Sequence, residues 1–361
     1  GDNMMLRGFY TFGDIYLDGI RDTAQYNRET FNLEQVEVLR GSASMLFGRG
    51  QAGGVINQVS KAPMLYGINR VEAGIGGYGY GELKADLNQR FGETSALRIN
   101  LMGREEGSAR NNPATGTDPE IKRFGVAPSI AFGLGTPHEL TLSYYYLKTN
   151  DIPDYGVPFV NGRPQANAAR DGRYWGIGSN FDDSETNIAT ANYVFRIDPD
   201  TSWRTVMRAA NYQRAYWAAA PSATRAPTTT VTQQMSKTRS FDTDNFVLQS
   251  DFNTAFTVLG MRHELVTGVE YLYEDSERWG LLNLGTADNA RYLPNSVFGK
   301  PSSYSGDTYS AYIQDTVEFV KDWRLTAGIR RDLMKSDYVS ATGNPQTITR
   351  FDGNFGENSY R

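Results

Sequence analysis

Cysteine is absent from this 361-residue chain, and there are only two histidines. The first absence excludes a disulfide scaffold and any thiolate metal site. The second leaves too few imidazoles for a zinc hydrolase: His138-Glu139 and His263-Glu264 each begin like H-E-x-x-H, but Leu142 and Thr267 stand where a second histidine belongs. No apolar run reaches about 18 residues, which excludes a transmembrane helix. Basic charge is scarce too. A formal net charge of −5 and a pI near 5.3 argue against nucleic acid as a partner. No G-x-S-x-G elbow or Ser/His/Asp constellation is present, and the chain is not expected to be an enzyme. Gly48-Arg49-Gly50-Gln51-Ala52-Gly53 satisfies G-x-G-x-x-G, but β-branched Val55–Val59 follows it instead of a helix, so it reads as a tight turn. Asp242 and Asp244 lack the spacing of a calcium loop.

What is present is alternation. Mean hydropathy is −0.51, yet from about residue 69 apolar and polar residues alternate in paired ladders. Glu82, Lys84, Asp86, Asn88 and Arg90 point one way, Leu83, Ala85, Leu87 and Phe91 the other. Leu97, Ile99 and Leu101 oppose Arg98, Asn100, Met102 and Arg104; Leu265 and Val269 oppose Glu264 and Glu270; Leu325 and Ile329 oppose Arg324 and Arg330. The pattern predicts eleven strands, near 69–78, 79–91, 95–106, 121–133, 138–149, 184–197, 201–216, 238–255, 262–277, 304–319 and 323–337, with Gly353–Arg361 as a polar tail. Connections alternate between short turns (Phe91–Thr94, Leu134–Pro137, Asp198–Asp200, Val320–Asp322) and long polar segments near 106–121, 149–184, 216–238 and 278–304. Short turns at one rim and long loops at the other are the pattern of bacterial outer-membrane barrels, and 22 Tyr, 18 Phe and 37 Gly suit aromatic girdles and tight turns. Periodicity alone does not say whether the apolar face meets lipid or a soluble core. An opening of Gly1-Asp2-Asn3-Met4 and an odd strand count read as a fragment.

The first sixty residues break this pattern. They carry Arg7-Gly8-Phe9, Leu17-Asp18-Gly19, Val36-Glu37-Val38-Leu39-Arg40-Gly41, Phe47-Gly48-Arg49-Gly50 and Gly53-Gly54-Val55-Ile56-Asn57-Gln58-Val59-Ser60-Lys61. Physically they read as a small α+β unit, with Asn32 capping a helix-like stretch before a strand at Val36–Leu39. These strings closely resemble the plug of TonB-dependent outer-membrane siderophore receptors, departing at Ser42, where that family usually has Pro. Asp154-Tyr155-Gly156-Val157-Pro158 in the long connection near 149–184 is most similar to the Fiu/Piu-type catecholate receptors.

The resemblance implies an all-β transmembrane antiparallel barrel, here about eleven of 22 strands, with a small α+β plug. Residues 1–63 would be the C-terminal part of the plug and 64–361 the N-terminal half of the barrel. The implied function is to bind a ferric siderophore and import it in a TonB-dependent manner; the alternatives are a passive outer-membrane channel or a receptor for another ligand. Implied partners are the siderophore, the TonB-ExbB-ExbD complex through a TonB box absent from this chain, and outer-membrane lipid. No cofactor is implied, since iron arrives chelated. Arg7 and Arg40 match plug arginines that pair with barrel glutamates. Ligand candidates, chosen as rings or positive charge in turns and long loops, are Tyr10, Phe12, Tyr26, Arg28, Tyr155, Phe159 and Trp175, with Arg163, Arg170 and Arg173 nearby. Tyr216 and Trp217 suit girdle and ligand roles equally.

Overall fold

The computed structural model describes residues 5–6, 8–10, 14–39, 54–112, 116–160, 163–164, 172–176, 180–221, 233–281, 297–343 and 345–360. Its elements are β1 (Met5–Leu6), β2 (Phe9–Tyr10), β3 (Ile15–Leu17), β4 (Ile20–Arg21), β5 (Leu33–Leu39), β6 (Val55–Ser60), β7 (Ile68–Ile75), β8 (Gly81–Arg90), β9 (Ala96–Glu106) and β10 (Ile121–Phe132). They continue as β11 (His138–Asp151), β12 (Phe159–Val160), β13 (Arg163–Pro164), β14 (Phe181–Asp198), β15 (Thr201–Pro221), β16 (Gln233–Val258), β17 (Met261–Leu281), β18 (Val297–Val320), β19 (Trp323–Thr342) and β20 (Thr347–Tyr360).

Twelve strands form one antiparallel sheet in chain order from β7 to β20, with the short pair β12–β13 standing apart. The eleven expected strands are all there. The twelfth, β20, corrects the reading of the C-terminal stretch as a tail: it pairs with β19 from Thr342↔Thr347 to Ile329↔Tyr360. Two connections at the long-loop rim are also short, 76–80 and 343–346. From β14 to β19, strands run 18 residues or more. That exceeds the roughly 9–11 residues a tilted strand needs to cross the hydrocarbon, so their upper ends stand outside it.

Sidedness is decided by burial. Leu83, Leu87, Val269, Leu325 and Ile329 are exposed, and Leu97, Ile99, Leu101 and Leu265 half-exposed, while their neighbours Asp86, Asn88, Arg98 and Asn100 are buried. The apolar face is the outer one. Near the short turns this face carries ring contacts Phe91–Phe132, His138–Phe195, Trp203–Phe252 and Phe256–His263. Further up, Phe124–Tyr146 and Phe246–Tyr271–Tyr309 form a second row. Two belts bounding an apolar band are what a lipid-facing wall requires.

The inner face holds the N-terminal unit. Its four-stranded sheet has the order β4-β3-β6-β5, with β3 parallel to β6 and the other pairs antiparallel. Asp18 and Gly19, both at positive φ (56° and 80°), make the two-residue turn between Leu17 and Ile20, the geometry for which an Asp-Gly pair is suited. No helix occurs among its described residues. Leu33–Gln35, expected to follow an Asn32 cap, instead starts β5: the Asn32 carbonyl accepts from the Lys61 amide, and pairing with β6 takes the backbone bonds a helix would have used. Arg208 reaches the Leu17 carbonyl (2.8 Å) and Asp18 (3.4 Å). Lys61 binds Asp86 (3.1 Å), and Glu34 lies 3.7 Å from Arg98. Ile20 packs among Val206, Val247 and Leu272 of the wall. Asp86, Arg98 and Arg104 of the wall touch this unit, and beside them Lys84 pairs with Glu82.

Candidate functional site

At the long-connection rim the inner wall becomes charged. The inward face of β10 is Ile121, Arg123, Gly125, Ala127, Ser129 and Ala131: small residues where the plug lies against it, then a guanidinium and Ile121 above. Asp151 ends β11 directly opposite Asp182 of β14. Like charges facing each other across a ladder destabilise it, and here each has its own counter-ion. Arg123 binds Asp151 through Nη2 at 2.7 Å. Arg214 grips Asp182 with two bonds, 2.7 and 2.6 Å, the bidentate geometry that makes Arg–carboxylate pairs strong. The Arg214 guanidinium also sits 4.7 Å over the Tyr216 ring. From the plug, Glu29 accepts from Arg123 Nη1 at 2.7 Å, and the Asn27 amide donates to Asp151 at 3.4 Å.

These groups border a cavity of about 490 Å³ lined by Asn27, Arg123, Asp151, Asp182, Arg214 and Tyr155, among others. Burial, with the Asp182 carboxylate nearby, raises the Tyr155 pKa above the ordinary tyrosine range, so its hydroxyl is a donor at neutral pH. A guanidinium pair, a ring and a phenol donor around a chamber of that size suit a polar, ring-bearing ligand with anionic oxygens.

The ligand candidates from the sequence divide sharply. Tyr155 lines the cavity and is partly exposed. Tyr26 and Arg28 do not: they lie on either side of Asn27 but are packed between plug and wall. Tyr26 is buried against Tyr212 and donates to Asp22, and Arg28 grips the same carboxylate at 2.8 Å. Burial holds the Tyr26 hydroxyl protonated. Their turn location, read as exposure, was misleading because the turn is pressed into the barrel wall. Trp175 is buried beside Arg173, 5.0 Å from its ring, and is a loop-packing residue. Trp217 is fully buried as well, which fits neither role weighed for it. Tyr10 and Phe159 belong to short strands β2 and β12; their side chains, together with Phe12, Arg7, Arg40 and Arg170, lie outside the described residues.

Sequence reasoning missed Arg123, Asp151, Asp182, Arg214, Asn27 and Glu29. One signal was available: Arg123 is the only charge on a strand face whose other residues are Ile121 and then Gly, Ala and Ser. The Asp151–Asp182 juxtaposition was not readable, because it depends on the register across a connection of 29 residues.

Residues 127–361 match a family described as TonB dependent receptor-like, beta-barrel, and residues 1–55 match the TonB-dependent Receptor Plug Domain. The chain is 31% identical over 374 residues to the Catecholate siderophore receptor Fiu of Escherichia coli K12, covering 95% of this chain and 48% of that protein. It is 30% identical over 377 residues to the Probable TonB-dependent siderophore receptor PiuA of Acinetobacter baumannii, covering 93% and 49%. The crystal structure of PiuA superimposes with a TM-score of 0.86 at 25% identity, over 100% of this chain and 56% of that one. The open form of Fiu gives 0.85 at 28%, over 99% and 61%. The chain thus spans about half the length of the curated relatives it matches. With a plug match, a barrel match over more than half of its residues and this fold, the chain belongs to the TonB-dependent receptors of the outer membrane.

Proposed function

We propose that this chain is part of a receptor that binds a ferric siderophore of the catecholate type and imports it with energy delivered through TonB-ExbB-ExbD. The observation that carries the reading is the position of the cavity: it opens among the long connections, and its floor, at Asn27, is a plug segment pinned to the wall. A ligand held there contacts plug and barrel together. A passive channel has no use for a plug fastened to its wall by Asp18–Arg208 and Lys61–Asp86.

In this reading residues 1–63 belong to the plug and 64–361 to the barrel, and outer-membrane lipid covers the face bearing Leu83 and Val269. Tyr155, Arg123 and Arg214 meet the ligand: the ring stacks on catechol, and the guanidinium groups meet its oxygens. Arg7 and Arg40 couple plug to barrel, as the plug resemblance suggests. Iron is cargo, already chelated. The test is fluorescence titration of the purified full-length receptor with the iron(III) complex of 2,3-dihydroxybenzoate. Saturable binding, weakened severalfold by Tyr155→Ala, is the expected result. A wild-type receptor that gives no saturable signal with this or any other ferric chelate would sink the reading.

A further inference from the structure

Arg123 serves two masters. Its Nη2 and Nε face Asp151 on the barrel wall, at 2.7 and 3.3 Å to Oδ2, while Nη1 alone takes Oε1 of Glu29 on the plug, at 2.7 Å. Two carboxylates on one guanidinium leave the group one negative charge in excess, and the partner held by a single bond is the easier to exchange. Glu29 also has somewhere to go. The same Oε1 lies 3.9 Å from Arg104 Nη1, so leaving Arg123 does not strand a buried carboxylate, the outcome that would make exchange prohibitive. Arg123 lines the cavity, whereas Arg214 has both carboxylate-facing nitrogens committed to Asp182.

We infer that the Nη1 edge of Arg123 is an anion subsite of the vestibule, and that Glu29 is a competitor built into the plug to occupy it. This rests on the receptor reading above. An anionic oxygen of the ferric chelate takes the place of the Glu29 carboxylate on Nη1, and Glu29 falls back on Arg104. The plug segment between Asp22 and Phe31 then loses its bond to β10. Ligand charge and plug attachment compete for one guanidinium, so each weakens the other by the same factor.

The sign of the consequence is unusual: removing an acid from the plug tightens ligand binding. With the iron(III)–2,3-dihydroxybenzoate complex as probe and full-length receptor, Glu29→Gln is expected to bind about five- to tenfold more tightly than wild type. Glu29→Asp, too short to reach Arg123 from the same backbone, shifts affinity the same way and guards against a folding defect peculiar to one variant. Arg123→Gln binds about tenfold more weakly, and in that background Glu29→Gln has no further effect, since the two act through one contact. An uncharged ferric trihydroxamate, if bound, shows no gain from Glu29→Gln. Hydrogen exchange in a peptide covering Asn27–Phe31 speeds up in Glu29→Gln and in wild type with probe. If wild type binds the probe and both Glu29 variants bind it equally or less well, the competitor role is overturned while the receptor reading stands. Should wild type bind no ferric chelate, both fall together.

Discussion

Asp86→Ala in the full-length receptor is expected to lower stability by about 3–5 kcal/mol, the usual cost of removing one partner from a buried ion pair. Arg98 is the residue left behind. Its side chain is 3% exposed, and it holds Asp86 with two bonds of 2.8 Å each. Its remaining contacts are the Ala62 carbonyl at 2.8 Å and Glu34 at 3.7 Å, the latter half-exposed. Neither replaces a bidentate carboxylate. The same mutation removes the partner of Lys61, which ties the end of β6 to the wall, so plug and barrel are loosened at one point. The check is the urea midpoint of receptor reconstituted in lipid vesicles, with the denaturant slope unchanged. Replacing Arg98 by Met together with Asp86→Ala recovers part of the loss, because no charge is then stranded. A single-mutant loss below about 1 kcal/mol would mean that water reaches Arg98 freely and the pair is worth no more than a surface one.

Gly125→Leu is expected to unseat the plug segment around Phe31. A Cβ at Gly125 would stand 2.6 Å from Phe31 Cε1 and 2.7 Å from Cζ, closer than any real contact. Phe31 is buried and stacked on Tyr145 with ring centroids 5.7 Å apart, so the ring has no free direction in which to retreat. Overpacking of this kind costs about 1–3 kcal/mol in a core that cannot shift. Here the strain is relieved by displacing the plug strand's leading edge, because the barrel wall is fixed by ladders on both sides of β10. The expected signs are protease cleavage between Asp22 and Leu33 and entry of bulky antibiotics into cells carrying the variant. Wild-type protection of that segment would show that the slot is roomier than it looks.

The barrel was legible because lipid on one side and water or plug on the other impose a two-residue period, visible at Leu83 to Arg90 without any structure. β20 escaped notice for the complementary reason. Its apolar residues Ile348, Phe351 and Phe355 fall three and four apart, and it joins the sheet through backbone bonds to β19. Backbone pairing leaves no mark on side-chain pattern. The plug was legible as motifs and misjudged as geometry: Asn32 looked like a helix cap, but pairing with β6 overrode that local preference. Ring and cation content drew attention to Tyr26 and Arg28, which the fold uses to brace the plug segment internally through Asp22, with the Tyr26 ring against Tyr212 of the wall. The vestibule's own residues come from strand ends brought together by register, and a single chain read in order gives no hint that Asp151 meets Asp182.

Import is the central claim, and uptake of radioactive iron as its 2,3-dihydroxybenzoate complex measures it most directly. Cells lacking their own catecholate receptors would carry the full-length gene, with and without a working TonB. Accumulation that requires both the receptor and TonB, and that falls with Arg123→Gln, is the predicted result. Accumulation at the same rate with TonB absent would make the protein a passive pore and contradict the account.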